Sequence, residues 1–145
     1  MENVLVTVIG TQCGIDGEES RIELIAKGHR KQQAGITYIT YKEALSGLDD
    51  TTTLLKLYAD SGCLVRMGSY EQKQEFRPGE KTYSPYITPY GNMELGVLTR
   101  NLSIDRAQTD SADAEQTVLL CYELEINGQW QSTNTLQIKV TKDSP

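Results

Sequence analysis

Val118-Leu119-Leu120-Cys121-Tyr122-Glu123-Leu124-Glu125-Ile126-Asn127-Gly128 decides the fold class. Val118, Leu120, Tyr122, Leu124 and Ile126 recur at every second position, and the residues between them turn charged at Glu123 and Glu125. A repeat of two belongs to a strand with one buried face, because successive side chains of extended backbone point to opposite sides. Asn127-Gly128 follows at once. Asn-Gly readily takes the positive φ values of a type I′ turn, so the pattern predicts a tight hairpin. The return strand alternates again, with Trp130, Ser132, Asn134, Leu136, Ile138 and Val140 on one side. Gln129 to Thr141 extends about 40 Å at roughly 3.3 Å per residue. That is long for a sandwich and suits a bent or tilted barrel strand.

The same period runs outward from the hairpin. Strands are expected at Val4 to Gln12, Ser20 to Arg30, Gly35 to Leu45, Thr52 to Ala59 and Cys63 to Tyr70. Gln74 to Arg77, Lys81 to Tyr86 and Asn92 to Arg106 continue the series, the last with a bulge expected at Gly96. Asp60-Ser61-Gly62 and Pro78-Gly79 read as turns. Tyr41 to Leu48 and Gln108 to Gln116 are the best helical candidates, and neither carries a sustained 3.6-residue repeat. About nine or ten strands without helices to cover them must fold onto themselves, and closure removes the unpaired edges that invite aggregation. The expectation is one all-β domain over residues 1–145, a single antiparallel, largely up-and-down barrel.

Composition narrows the function classes. The chain has 145 residues, 14 Lys and Arg against 20 Asp and Glu, and a net charge of −6. That balance argues against a nucleic-acid partner, whose affinity comes largely from Lys and Arg, and against an anionic membrane surface. No window approaches the roughly 18 apolar residues of a membrane span, and Met1-Glu2-Asn3 lacks the basic start of a secretory signal. A cytoplasmic protein is expected. Cys13, Cys63 and Cys121 lie too far apart for a disulfide framework or, with His29, for the short ligand spacings of a zinc site. No GxSxG elbow and no phosphate-loop glycine pattern occurs, so no cofactor is expected and an enzyme ranks last.

Several segments together resemble a known family: Ile15-Asp16-Gly17-Glu18-Glu19, Ser46-Gly47-Leu48, Leu64-Val65-Arg66-Met67-Gly68, Thr88-Pro89-Tyr90-Gly91 with its following apolar strand, and Tyr122 to Gly128. In order and spacing they look like the YwiB-like family of small bacterial proteins. The resemblance covers nearly the whole chain, and Thr88-Pro89-Tyr90-Gly91 is its most specific piece. It implies a calycin-like (lipocalin-like) β-barrel and no particular activity. One departure stands out: Ser69 to Glu75 is more polar than the family pattern.

Two features point to a place where something could bind. Eight tyrosines stand against one Phe and one Trp, and tyrosine combines an apolar ring with a hydroxyl. Arg66 lies in an otherwise apolar strand, where a guanidinium could grip a carboxylate or phosphate on two edges, or pair with Glu43 or Glu94. Arg66, Tyr38, Tyr83 and Tyr90 are therefore the candidate site for a small, anionic ligand. Asn134 should point inward with Leu136 and Ile138. The competing reading is a structural or interaction barrel with a filled core, acting as a homodimer. Interior volume separates the two. Gly68, Gly96, Ala26 and Ser132 facing in would leave a cavity, whereas Tyr38, Tyr122 and Trp130 facing in would fill it.

Overall fold

The computed structural model describes residues 2–42, 51–68, 71–105 and 115–143. The described residues form ten strands: β1 (Glu2–Gly14), β2 (Glu19–Gln33), β3 (Ile36–Lys42), β4 (Thr52–Leu57), β5 (Gly62–Met67), β6 (Glu71–Phe76), β7 (Lys81–Thr88), β8 (Gly91–Asp105), β9 (Gln116–Ile126) and β10 (Gln129–Lys142). Each pairs antiparallel with the next, and β1 closes on β10, so the barrel is a pure up-and-down meander. The helical candidates at Tyr41 to Leu48 and Gln108 to Gln116 lie mostly outside the described residues. Of the parts described, Tyr41 and Lys42 are strand, Glu115 is irregular and Gln116 begins β9.

The hairpin forms as its sequence dictates. Asn127 and Gly128 take φ of 50° and 82°, and β9 pairs with β10 from Ile126↔Gln129 to Gln116↔Val140. Asn127 also ties the hairpin to β8. Its amide donates to the Glu94 carbonyl at 2.9 Å, and its side-chain oxygen accepts from the Glu94 amide at 2.9 Å. A second turn of the same positive-φ kind joins β2 to β3 at Ala34 and Gly35, with φ of 54° and 80°.

Two irregularities fall where the alternation did not place them. β8 shifts register between Thr99 and Asn101, so the bulge sits at Arg100 and not at Gly96. β10 shifts between Trp130 and Ser132. The extra residue there, Gln131, turns Trp130 to the outer surface, whereas unbroken alternation would have placed it with Leu136 and Ile138. Gly96 faces outward and is covered by Tyr83, its partner across the β7–β8 ladder. This corrects the reading of Gly96 as a small inward residue.

One end of the barrel is packed solid. Val4, Val6, Val8, Leu24, Ile39, Leu55, Leu57, Phe76, Val97, Val118, Ile138 and Val140 are buried there. Beneath them Arg30, only 5% exposed, donates Nε to Glu2 at 2.6 Å and lies 3.4 Å from Gln116 Oε1. A cation so buried needs these acceptors, because an uncompensated interior charge is costly. The outer face carries charge instead, including the pairs Lys81–Glu125 and Arg100–Glu123.

Candidate functional site

The opposite end is not filled. A cavity of about 280 Å³ lies between the strand ends nearest the β1–β2, β5–β6, β7–β8 and β9–β10 connections. Its walls follow from register. On one side an inward row crosses four strands, Arg66↔Gln72 on β5 and β6, Gln72↔Tyr86 on β6 and β7, Tyr86↔Met93 on β7 and β8. On the other, Tyr122↔Asn134, Asn134↔Gln12 and Gln12↔Ser20 make a second polar row across β9, β10, β1 and β2. Leu64, Leu95, Leu124, Ile126, Leu136 and Ile22 supply the apolar lining. Gly10 keeps the wall thin, since a Cβ there would lie 3.1 Å from both Ile22 and Leu136.

Arg66 points into this space and is the one charged side chain among its described lining residues. It is half-buried, and its Nη1 donates to Gln72 Oε1 at 2.7 Å. Tyr122 is buried beside it, and burial pushes the phenol pKa up while the Arg66 charge pulls it down. Tyr122 also packs on Phe76, ring centres 5.2 Å apart. Asn134 points inward as its alternation requires, donating to Ser132 Oγ at 2.9 Å. The polar stretch that departs from the family pattern now has a physical reason: its inward residues Gln72 and Gln74 line the cavity.

The three candidate tyrosines are not brought to Arg66. Tyr38 lies on the outer face, paired with Lys31 and Lys56 on the neighbouring strands. Tyr83 also faces out, covering Gly96 with Lys81 Nζ 5.5 Å from its ring centre. Tyr90 sits in the β7–β8 turn at the open end, 91% exposed, its amide bonded to Thr88 Oγ1 at 3.1 Å. The tyrosines that do line the cavity are Tyr86 and Tyr122. Glu94 points outward, its neighbours Met93 and Leu95 facing in, and Glu43 lies outside the described residues. Of the proposed space-fillers Tyr122 faces in, while Tyr38 and Trp130 face out. Ala26 and Ser132 are inward, but neither lines the cavity, and Ala26 packs against the filled core.

The sequence matches the family described as Domain of unknown function (DUF1934) over residues 6–138. A relative, "Uncharacterized beta-barrel protein YwiB" of Bacillus subtilis (strain 168), is 21% identical over 123 residues, which is 85% of this chain and 82% of the relative. The crystal structure of ywiB protein from Bacillus subtilis aligns with a TM-score of 0.85 at 19% identity, covering 99% of this chain and 93% of that one. At that identity the likeness establishes the fold alone.

Proposed function

The chain belongs to the DUF1934 family, and from that membership and its ten-stranded barrel we propose that it is a calycin-like binding module that holds a small anionic ligand in the open half of the barrel. The observation that carries this is Arg66, a permanent cation aimed into a cavity of about 280 Å³ whose other described lining residues are neutral. A cavity of roughly 150 Å³ takes up benzene, so this space suits a body somewhat larger than one ring. Arg66 receives the negative head, and Gln72, Gln74, Asn134 and Tyr86 offer amide and hydroxyl partners around it. Leu95, Leu124 and Leu136 contact the apolar body. Partial removal from bulk water inside the barrel strengthens the guanidinium's attraction for a carboxylate. The charged outer face suits water and the cytoplasm, the reverse of membrane barrels that face lipid with apolar residues.

A titration followed by amide NMR tests the proposal with benzoate and its neutral counterpart benzyl alcohol. Benzoate should shift resonances of Gln72, Leu95, Asn134 and Leu136, and bind about tenfold more tightly than the alcohol, the ordinary margin of a charged hydrogen bond. Arg66→Met should erase that preference while the spectrum keeps its dispersion. Shifts confined to the outer surface, or a preference that survives Arg66→Met, would contradict it.

A second reading, self-association, is favoured by one feature. Ile25 and Leu119 are exposed on the outer face, and Leu5 and Ile9 are half-buried on β1 between them. Light scattering that finds a dimer in the parent and a monomer in Ile25→Glu would support it. A monomer in both would set it aside.

A further inference from the structure

The outer face of β2, β3 and β4 differs from the charge balance of the whole chain. From Lys27 onward these strands present Lys27, His29, Lys31, Lys42 and Lys56 outward, and no carboxylate, in a protein of net charge −6. Among the described residues, ion pairs join Arg30, Lys73, Arg77, Lys81 and Arg100 to glutamates outside this face. Among the described residues the four lysines have no carboxylate partner. A groove of about 270 Å³ opens on this face, lined by His29, Lys31, Gln33, Tyr38, Thr40 and Leu54. Register puts Tyr38 between two of the cations: Lys31, which lines the groove, pairs with it on one side, and Lys56, which stands beside the groove next to Tyr38 and two residues along β4 from Leu54, pairs with it on the other.

Two strand spacings separate the backbones of Lys31 and Lys56 by about 10 Å, and each carries a four-carbon stem that lets its ammonium swing over the tyrosine between them. When both ammonium groups swing over the one ring they repel, and an anion between them relieves the repulsion. We infer that this groove is an anion site, separate from the barrel interior, for a phosphate monoester that carries an aromatic group: the phosphate lies between Lys31 and Lys56, and the aromatic group rests against Tyr38 and Leu54. A net negative chain does not prevent this, because at physiological salt a bound anion feels only charges within about 8 Å. The groove is the size of one ring and its phosphate, which favours a monoester over a long polyanion.

Amide NMR titrations with phenyl phosphate, inorganic phosphate and adenosine monophosphate test the assignment. Phenyl phosphate should shift His29, Lys31, Tyr38, Thr40 and Lys56 and leave Asn134 and Leu136 unmoved. It should bind about tenfold more tightly than inorganic phosphate, the scale of one stacking contact. Tyr38→Leu should bring the two to equal affinity. Lys31→Gln with Lys56→Gln should weaken both at least tenfold, with the melting temperature unchanged because both side chains are on the surface. Binding of adenosine monophosphate at the strength of phenyl phosphate identifies a nucleotide as one source of this chemistry, and weaker binding points to smaller aryl esters. Shifts spread evenly over every surface lysine, an equal affinity for the two phosphates in the parent, or a single-stranded decanucleotide binding more than tenfold tighter than adenosine monophosphate would each overturn the assignment.

Discussion

Gly28 shows how little room some single positions allow. Its backbone runs so close to β3 that an added methyl would lie 2.4 Å from the Thr40 carbonyl oxygen and 3.2 Å from Tyr41 Cβ. Backbone cannot step aside as a flexible side chain can. Gly28→Ala should therefore cost about 1–3 kcal/mol, read as a lower denaturant midpoint; a neutral result would show that β2 and β3 are not so close. Individual positions were also where the sequence was hardest to read. Gly28-His29-Arg30-Lys31 looks like a solvated basic tip, yet the alternation of Leu24, Ala26 and Gly28 continues inward through Arg30. Composition alone hides the contact of buried Arg30 with Glu2, and only the period of two points to it. On β7 the choice between faces was open, because Thr82, Ser84 and Tyr86 alternate with Lys81, Tyr83 and Pro85, and both sets are partly polar. The pattern on β7 therefore does not separate Tyr83, which faces out, from Tyr86, which lines the cavity. Arg66 stands out in the sequence as a cation among apolar neighbours, but Val65 and Met67 alternate with Leu64, so its inward phase appears only in the folded barrel.

Among elements, the turns govern where each strand begins and therefore which residues face in. Asn127-Gly128 has the chemistry its conformation needs. The β2–β3 turn does not, since Ala34 holds φ of 54° without asparagine's short polar side chain or glycine's freedom. A left-handed non-glycine residue costs about 1–2 kcal/mol, so Ala34→Asn should raise stability by roughly 0.5–1 kcal/mol, seen as a higher melting temperature. A lower melting temperature would show that the turn has another shape. The two bulges explain what the pattern could not supply. A strict period of two carries no sign of where one residue drops out of the ladder, so Trp130 was assigned to the wrong face. The β6–β7 seam is irregular for a reason the sequence does contain. Only Glu71↔Ile87 and Gln72↔Tyr86 pair there among the described residues, and Pro85, with no amide hydrogen, stands where the ladder would continue. Thr82 Oγ1 bonded to the Glu75 carbonyl at 2.8 Å holds the seam's other end.

At the scale of the molecule, closure and the up-and-down order were legible because strong alternation without helical segments leaves a β-sheet few ways to bury its apolar face. The half-filled interior was not, because it depends on the inward phase of all ten strands at once. Burial also sets an alkaline limit to stability. It pushes the Cys63 thiol above its ordinary value of 9.0, against the pull of Lys73, and the Tyr122 phenol above 10.0. The unfolded chain then releases these protons first, so their contribution is complete below about pH 9 and lost as pH rises further. The melting temperature should fall on the alkaline side, and Cys63→Ala with Tyr122→Phe should flatten that fall; an equal slope in the double variant would assign it elsewhere. The open half of the barrel is proposed above as a binding space keyed to Arg66. Its most direct test is a crystal soaked with 4-bromobenzoate and measured at the bromine edge. One anomalous peak is expected inside the barrel among Leu95, Leu124 and Leu136, with the carboxylate against Arg66. An interior closed by side chains, or bromine found only on the outer surface, would contradict it.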